Sequence, residues 1–74
     1  MEKSELARVQ QYLRDKFGTE RIKLQAGGRH DDSAEVSLGD EFIGVVYRDE
    51  EDGEVSYCFN MAILEMDLPR VAGV

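Results

Sequence analysis

The hydrophobic period of this chain changes at Gly18, from helical spacing before it to alternation after it. Upstream, Leu6, Val9, Leu13 and Phe17 recur at intervals of three, four and four, which stacks them on one stripe of a helix over residues 4–17. Ala7 and Tyr12 flank the stripe, and Glu5, Arg8, Gln11, Arg14 and Asp15 lie away from it. Ser4 is the expected cap, with Glu5 favourably placed in the first turn. Gly18 is expected to close the helix in the left-handed conformation. Downstream, Ile22, Leu24 and Ala26 alternate with Lys23 and Gln25, and Ala34, Val36 and Leu38 alternate with Glu35 and Ser37, giving two strands. Residues 27–32 read as a loop, residues 41–48 as a third strand, and a fourth runs from Glu54 to between Asn60 and Ile63. Residues 61–66 fit either a continuation of that strand or a short helix, which Pro69 would stop. The expected fold is α+β: an N-terminal helix packed on a four-stranded antiparallel meander, with a short C-terminal extension. Residues 1–68 form the domain and 69–74 a flexible tail.

The third strand carries the tension in this scheme. Ile43, Val45 and Tyr47 make one apolar row, while Phe42, Gly44 and Val46 make a flatter one, so both faces call for cover. Turn chemistry proposes a register. Gly39-Asp40 reads as a two-residue type II′ turn, which sets Leu38 opposite Glu41, Val36 opposite Ile43 and Ala34 opposite Val45. Residues 51–53 read as a three-residue loop, which sets Tyr47 opposite Tyr57, Val45 opposite Phe59 and Ile43 opposite Met61. Opposed residues share a face. The helix is then expected over Ile22, Leu24, Val36, Leu38, Ile43, Val45, Tyr47, Tyr57, Phe59 and Met61. The second face holds Phe42, Gly44, Val46, Cys58 and Asn60 among Ser33, Glu35, Ser37 and Ser56. A mid-strand glycine often marks close approach by another backbone or ligand, so these five residues are the expected interaction face.

Seventy-four residues make a small domain, which buries only about 60% of its unfolded surface and often relies on a disulfide, a metal or oligomerisation. A single cysteine, Cys58, excludes an internal disulfide, and one histidine with one thiol makes no zinc set. Sixteen acidic against nine basic residues give a net charge of −7, which argues against nucleic acid and anionic lipid as partners. No apolar run is long enough to span a membrane, and the N-terminus lacks the apolar stretch of an export signal. With the lone cysteine, this points to the reducing cytoplasm.

Each chemical candidate has a plainer structural explanation. His30, Asp31 and Asp32 place a histidine beside carboxylates, as a weak metal site or acid–base pair would, but they also compose an ordinary polar loop. Five acids among residues 49–54 suggest calcium, yet aligning Gly53 with the glycine of an EF-hand puts Arg48 at the first ligand. Cys58 has no identifiable base and reads as a small packing residue. Gly27-Gly28 lacks the spacing and following helix of a phosphate loop. Tyr12, Tyr47 and Tyr57 read as core or core-edge residues. No cofactor is expected.

The blocks Asp31-Asp32-Ser33-Ala34-Glu35-Val36, Gly39-Asp40-Glu41-Phe42-Ile43-Gly44-Val45, Asp49-Glu50-Glu51-Asp52-Gly53-Glu54 and Phe59-Asn60-Met61-Ala62-Ile63-Leu64, in that order, resemble a small alphaproteobacterial family of unknown function. Gln11-Tyr12-Leu13-Arg14 before Phe17-Gly18 also fits, so the resemblance covers about residues 4 to 68. It implies a small cytoplasmic bacterial protein and supplies no activity or site residue. The expected function is a non-enzymatic interaction module that forms a homodimer or binds a protein through the second sheet face. The alternatives are a small metal-binding protein or enzyme using His30, Asp31 and Asp32, and a strand-edge binder in which the first or fourth strand accepts a peptide.

Overall fold

The computed structural model describes residues 1–27 and 32–73. An N-terminal helix α1 (Lys3–Phe17) packs on an antiparallel meander of β1 (Ile22–Ala26), β2 (Ser33–Leu38), β3 (Glu41–Glu51) and β4 (Glu54–Asn60), in that spatial order, and a 3₁₀ turn η1 (Glu65–Asp67) follows. This is the architecture that the change of period implies.

The helix starts one turn-edge earlier than its sequence suggests. Glu2, not Ser4, is the cap, and its N–H donates to Glu5 Oε1 at 3.1 Å in a capping box. Gly18 ends the helix at φ 65, ψ 34, with its N–H donating to the Arg14 carbonyl. Only Leu13 of the stripe is fully buried; Leu6 and Val9 are half-buried, and Phe17 is exposed.

The register departs from expectation at two places. Leu38 does oppose Glu41 and Ser37 opposes Phe42, but Val36 then opposes Gly44 and Ala34 opposes Val46. Ile43 is the extra residue of a β-bulge, and the parity of β3 inverts beyond it. The second hairpin closes through two residues, Asp52 at φ 53 and Gly53 at φ 82, the paired positive values of a type I′ turn. Glu51 therefore opposes Glu54, Arg48 opposes Tyr57, and Val46 opposes Phe59. The two shifts cancel in β4, so Tyr57 and Phe59 still face the helix side. They do not cancel in β3, where Val46 and Arg48 lie beneath the helix side in place of Val45 and Tyr47.

The core is accordingly Leu13, Ile22, Leu24, Ala34, Val36 and Val46, with Met1, Leu6, Val9, Leu38, Ile43 and Phe59 packed around it. Gly44 belongs to this side. A Cβ there would lie 2.4 Å from the Asn60 carbonyl oxygen and 2.7 Å from Phe59 Cε1. The close approach that a strand glycine signals is real, but the approaching groups are the chain's own.

Candidate interaction surface

The expected interaction face does not exist as one surface. Gly44 and Val46 are buried on the helix side, whereas Cys58 and Asn60 face the other way and Phe42 is exposed at the bulge. The second sheet face carries Lys23, Gln25, Glu35, Ser37, Val45, Tyr47, Ser56 and Cys58, which is a largely polar surface. Tyr47 is exposed there and is not a core residue.

The unfinished burial lies on the helix side. A helix is about 10 Å across and neighbouring strands are about 4.8 Å apart, so one helix covers roughly two strands. Here α1 lies over the β1 end of the sheet, and its contacts are chiefly with β1. A groove of about 750 Å³ remains between α1 and β3–β4. Its helix wall is Arg8, Val9, Tyr12 and Leu13; its floor is Val46, Val55, Tyr57 and Phe59. Beyond β4 the chain adds a further exposed apolar row: Met61, Ile63, Leu64, Met66 and Leu68 are each more than half exposed. Residues 61–64 are neither strand nor α-helix, so the ambiguous segment becomes an extended arm ending in η1.

A polar cluster closes one end of the groove. The Tyr57 hydroxyl donates to Glu5 Oε2 at 2.6 Å. Arg48 Nε stands 3.0 Å from the same oxygen, paired by charge but not aligned for a hydrogen bond, and Arg48 Nη2 donates to Glu50 Oε2 at 2.8 Å. The Tyr57 hydroxyl, the Glu2 N–H and the Arg48 charge hold the Glu5 carboxyl below its ordinary pKa. The same hydrogen bond to Glu5 raises the Tyr57 phenol above its own. The cluster ties the helix N-terminus to the β3–β4 hairpin.

The two sheet edges are treated differently. At β1, the Leu24 N–H donates to Gln10 Oε1 at 3.0 Å and Arg14 Nε donates to the Ile22 carbonyl at 2.8 Å, so the helix stitches that edge. At β4, no backbone hydrogen bond from another described segment meets the outer edge. The β4 edge has neither lysine nor proline to blunt it.

Of the loop candidates, His30 and Asp31 lie outside the described residues; Asp32 is a turn residue whose carbonyl accepts the Arg48 N–H at 2.7 Å. Among the described residues, no group of three His, Cys, Asp or Glu side chains could hold a metal ion. No described helix is long and apolar enough to cross a membrane. Sequence reasoning missed Val55, Arg8 and the arm residues as surface candidates. The usable signal was Val55 itself, which shares the parity of Tyr57 and Phe59 whichever turn closes the hairpin.

Comparison with known proteins identifies the family. Residues 5–67 match the family model described as "Protein of unknown function (DUF3126)", so the chain belongs to that family. No curated protein and no solved structure is significantly similar to the chain.

Proposed function

We propose that this member of a family of unknown function is a non-enzymatic protein-interaction module, acting in the bacterial cytoplasm that the sequence resemblance implies. Its working surface is the groove between α1 and β3–β4 together with the apolar arm that follows β4. The observation that supports this reading most is that groove and arm are apolar, adjacent in sequence and both uncovered. Burying one leucine-sized side chain contributes about 1.5–3 kcal/mol, so five exposed arm residues represent a substantial unspent driving force. The polar second face of the sheet offers no comparable surface.

Sedimentation across a wide concentration range tests the proposal. The parent is expected above its monomer mass of 8.4 kDa. A variant combining Val55→Glu, Ile63→Ser and Leu64→Ser is expected at the monomer mass with unchanged circular dichroism. A parent that stays monomeric at the highest concentration, or a triple variant that associates as the parent does, overturns the reading.

A further inference from the structure

We infer that the partner is a second copy of this chain, and that the two copies join through antiparallel pairing of their β4 strands about a two-fold axis at Tyr57. The inference rests on the interaction-module reading and names the partner of that surface.

Three observations carry it. The first is which backbone groups point outward. The Arg48 N–H donates to the Asp32 carbonyl, toward β2, so the Arg48–Tyr57 pair is not hydrogen-bonded across β3–β4. Bonded and non-bonded pairs alternate along an antiparallel ladder. Val55, Tyr57 and Phe59 therefore turn their N–H and C=O groups away from β3, along the bare edge. The closing pair of the two-residue hairpin, Glu51 and Glu54, fits this phase.

The second is self-complementarity. With Tyr57 on the axis, Val55 faces Phe59 of the second copy, Ser56 faces Cys58, and Glu54 faces Asn60. Apolar residues meet apolar residues, small ones meet small ones, and no like charges are opposed, although each chain carries a net charge of −7. Moving the axis by one residue keeps the hydrogen-bond phase and changes which side chains meet. About Ser56, Glu54 would face Cys58 and the turn residue Gly53 would face Phe59. About Cys58, Tyr57 would face Phe59, Ser56 would face Asn60 and Cys58 would face its own copy, a register that the thiol test below separates from the Tyr57 one.

The third is the groove. Pairing the two β4 strands places the Val55, Tyr57 and Phe59 rows of both copies side by side between the two α1 helices. Two half-covered floors become one trough, and each arm leaves its strand beside the start of the other copy's β4.

The register is tested with the native thiol. In the inferred dimer Ser56 and Cys58 of the second copy form a non-hydrogen-bonded pair, with Cα atoms about 4.5 Å apart, inside the range a disulfide spans. Ser56→Cys, kept in the Cys58 background and mildly oxidised, is expected to convert to a species of twice the mass on a non-reducing gel. Asn60→Cys puts a thiol on the same strand and face but opposite Glu54, and is expected to cross-link no faster than the parent. In the parent, Cys58 meets its own copy only on the diagonal, about 7–8 Å away. Both substitutions are at exposed positions, so folding is retained. A dimer by sedimentation in which the two variants and the parent cross-link equally overturns the Tyr57 axis, and one in which none cross-links overturns β4 pairing, each while leaving the interaction module standing. A strictly monomeric parent overturns β4 pairing as well.

Discussion

Gly44→Ala separates the observed register from the one that turn chemistry alone suggests, because the two give opposite signs. On an uncovered face, replacing a strand glycine by alanine stabilises by about 0.5–1 kcal/mol through lost unfolded-state entropy. In the structure, the new methyl lies 2.4 Å from the Asn60 carbonyl oxygen and 2.7 Å from Phe59 Cε1. Neither group can step aside alone: one is backbone at the last residue of β4, and the other is a ring packed against the core. Overpacking of this kind costs about 1–3 kcal/mol. With both neighbours fixed the upper part of that range, about 2–3 kcal/mol, applies, and subtracting the entropic gain leaves a net loss of about 1–2.5 kcal/mol. A domain of this size has a total stability of only about 4–11 kcal/mol. The loss should lower Tm by about 5–15 °C and shift the urea midpoint down by about 1 M without changing the slope. The assay is urea denaturation followed by circular dichroism at low protein concentration, so that association does not add to the apparent stability. A midpoint that is unchanged or higher would refute the placement of Gly44 beneath Phe59.

Two further perturbations probe the same geometry. Val46→Asp puts an unpaired carboxylate at a site only 1% exposed and is expected to abolish cooperative folding, whereas Val45→Asp, on the polar second face, is expected to cost under about 1 kcal/mol in the same denaturation assay. The Glu5–Tyr57 hydrogen bond links stability to pH at both ends. The depressed Glu5 pKa means its contribution is present above the unfolded carboxyl pKa and is lost as pH falls through the folded value. The raised Tyr57 pKa means its contribution is present below the unfolded phenol pKa and is lost as pH rises through the folded value. Glu5→Gln should flatten the acid limb of a Tm-against-pH profile and Tyr57→Phe the alkaline limb; unchanged limbs would show that the contact does not persist in solution.

How far the chain could be read in advance depended on how unambiguous each local pattern was. In α1, β1 and β2 the apolar residues occupy a single parity or stripe, so elements and faces follow directly. In β3 the run Phe42-Ile43-Gly44-Val45-Val46-Tyr47 is apolar on both parities. Such a run cannot report a bulge, because either side of the inversion looks acceptable. Asp52-Gly53 did carry a signal for a two-residue turn, and treating residues 51–53 as a three-residue loop discarded it. The two departures are each one residue and opposite in effect, which is why β4 came out facing the right way while β3 did not. The expected interaction face fell with β3. The edge contacts of Gln10 and Arg14 were not legible in the sequence: Arg14 lies off the apolar stripe, where helix side chains are ordinarily solvated, and Gln10 lies on its flank, four residues after Leu6 and three before Leu13, where an amide does not announce its partner.

Those edge contacts bear on why association of this kind would stop at two. A bare strand edge is a hazard because it can recruit chains without limit. Here one edge of the sheet is partly covered, with one β1 donor and one β1 acceptor satisfied by side chains from α1. Of the two described edges, β4 is the bare one. Pairing β4 with its own copy about a two-fold axis uses the same surface on both chains, which is an isologous and therefore closed contact. The resulting eight-stranded sheet would end on both sides in a β1 strand that α1 partly covers, and neither β4 edge would remain bare. A head-to-tail arrangement, β4 onto β1, would instead have to displace Gln10 and Arg14 from Leu24 and Ile22, and would leave another β4 free at the end. The asymmetry between the two edges thus favours the closed dimer over a growing filament.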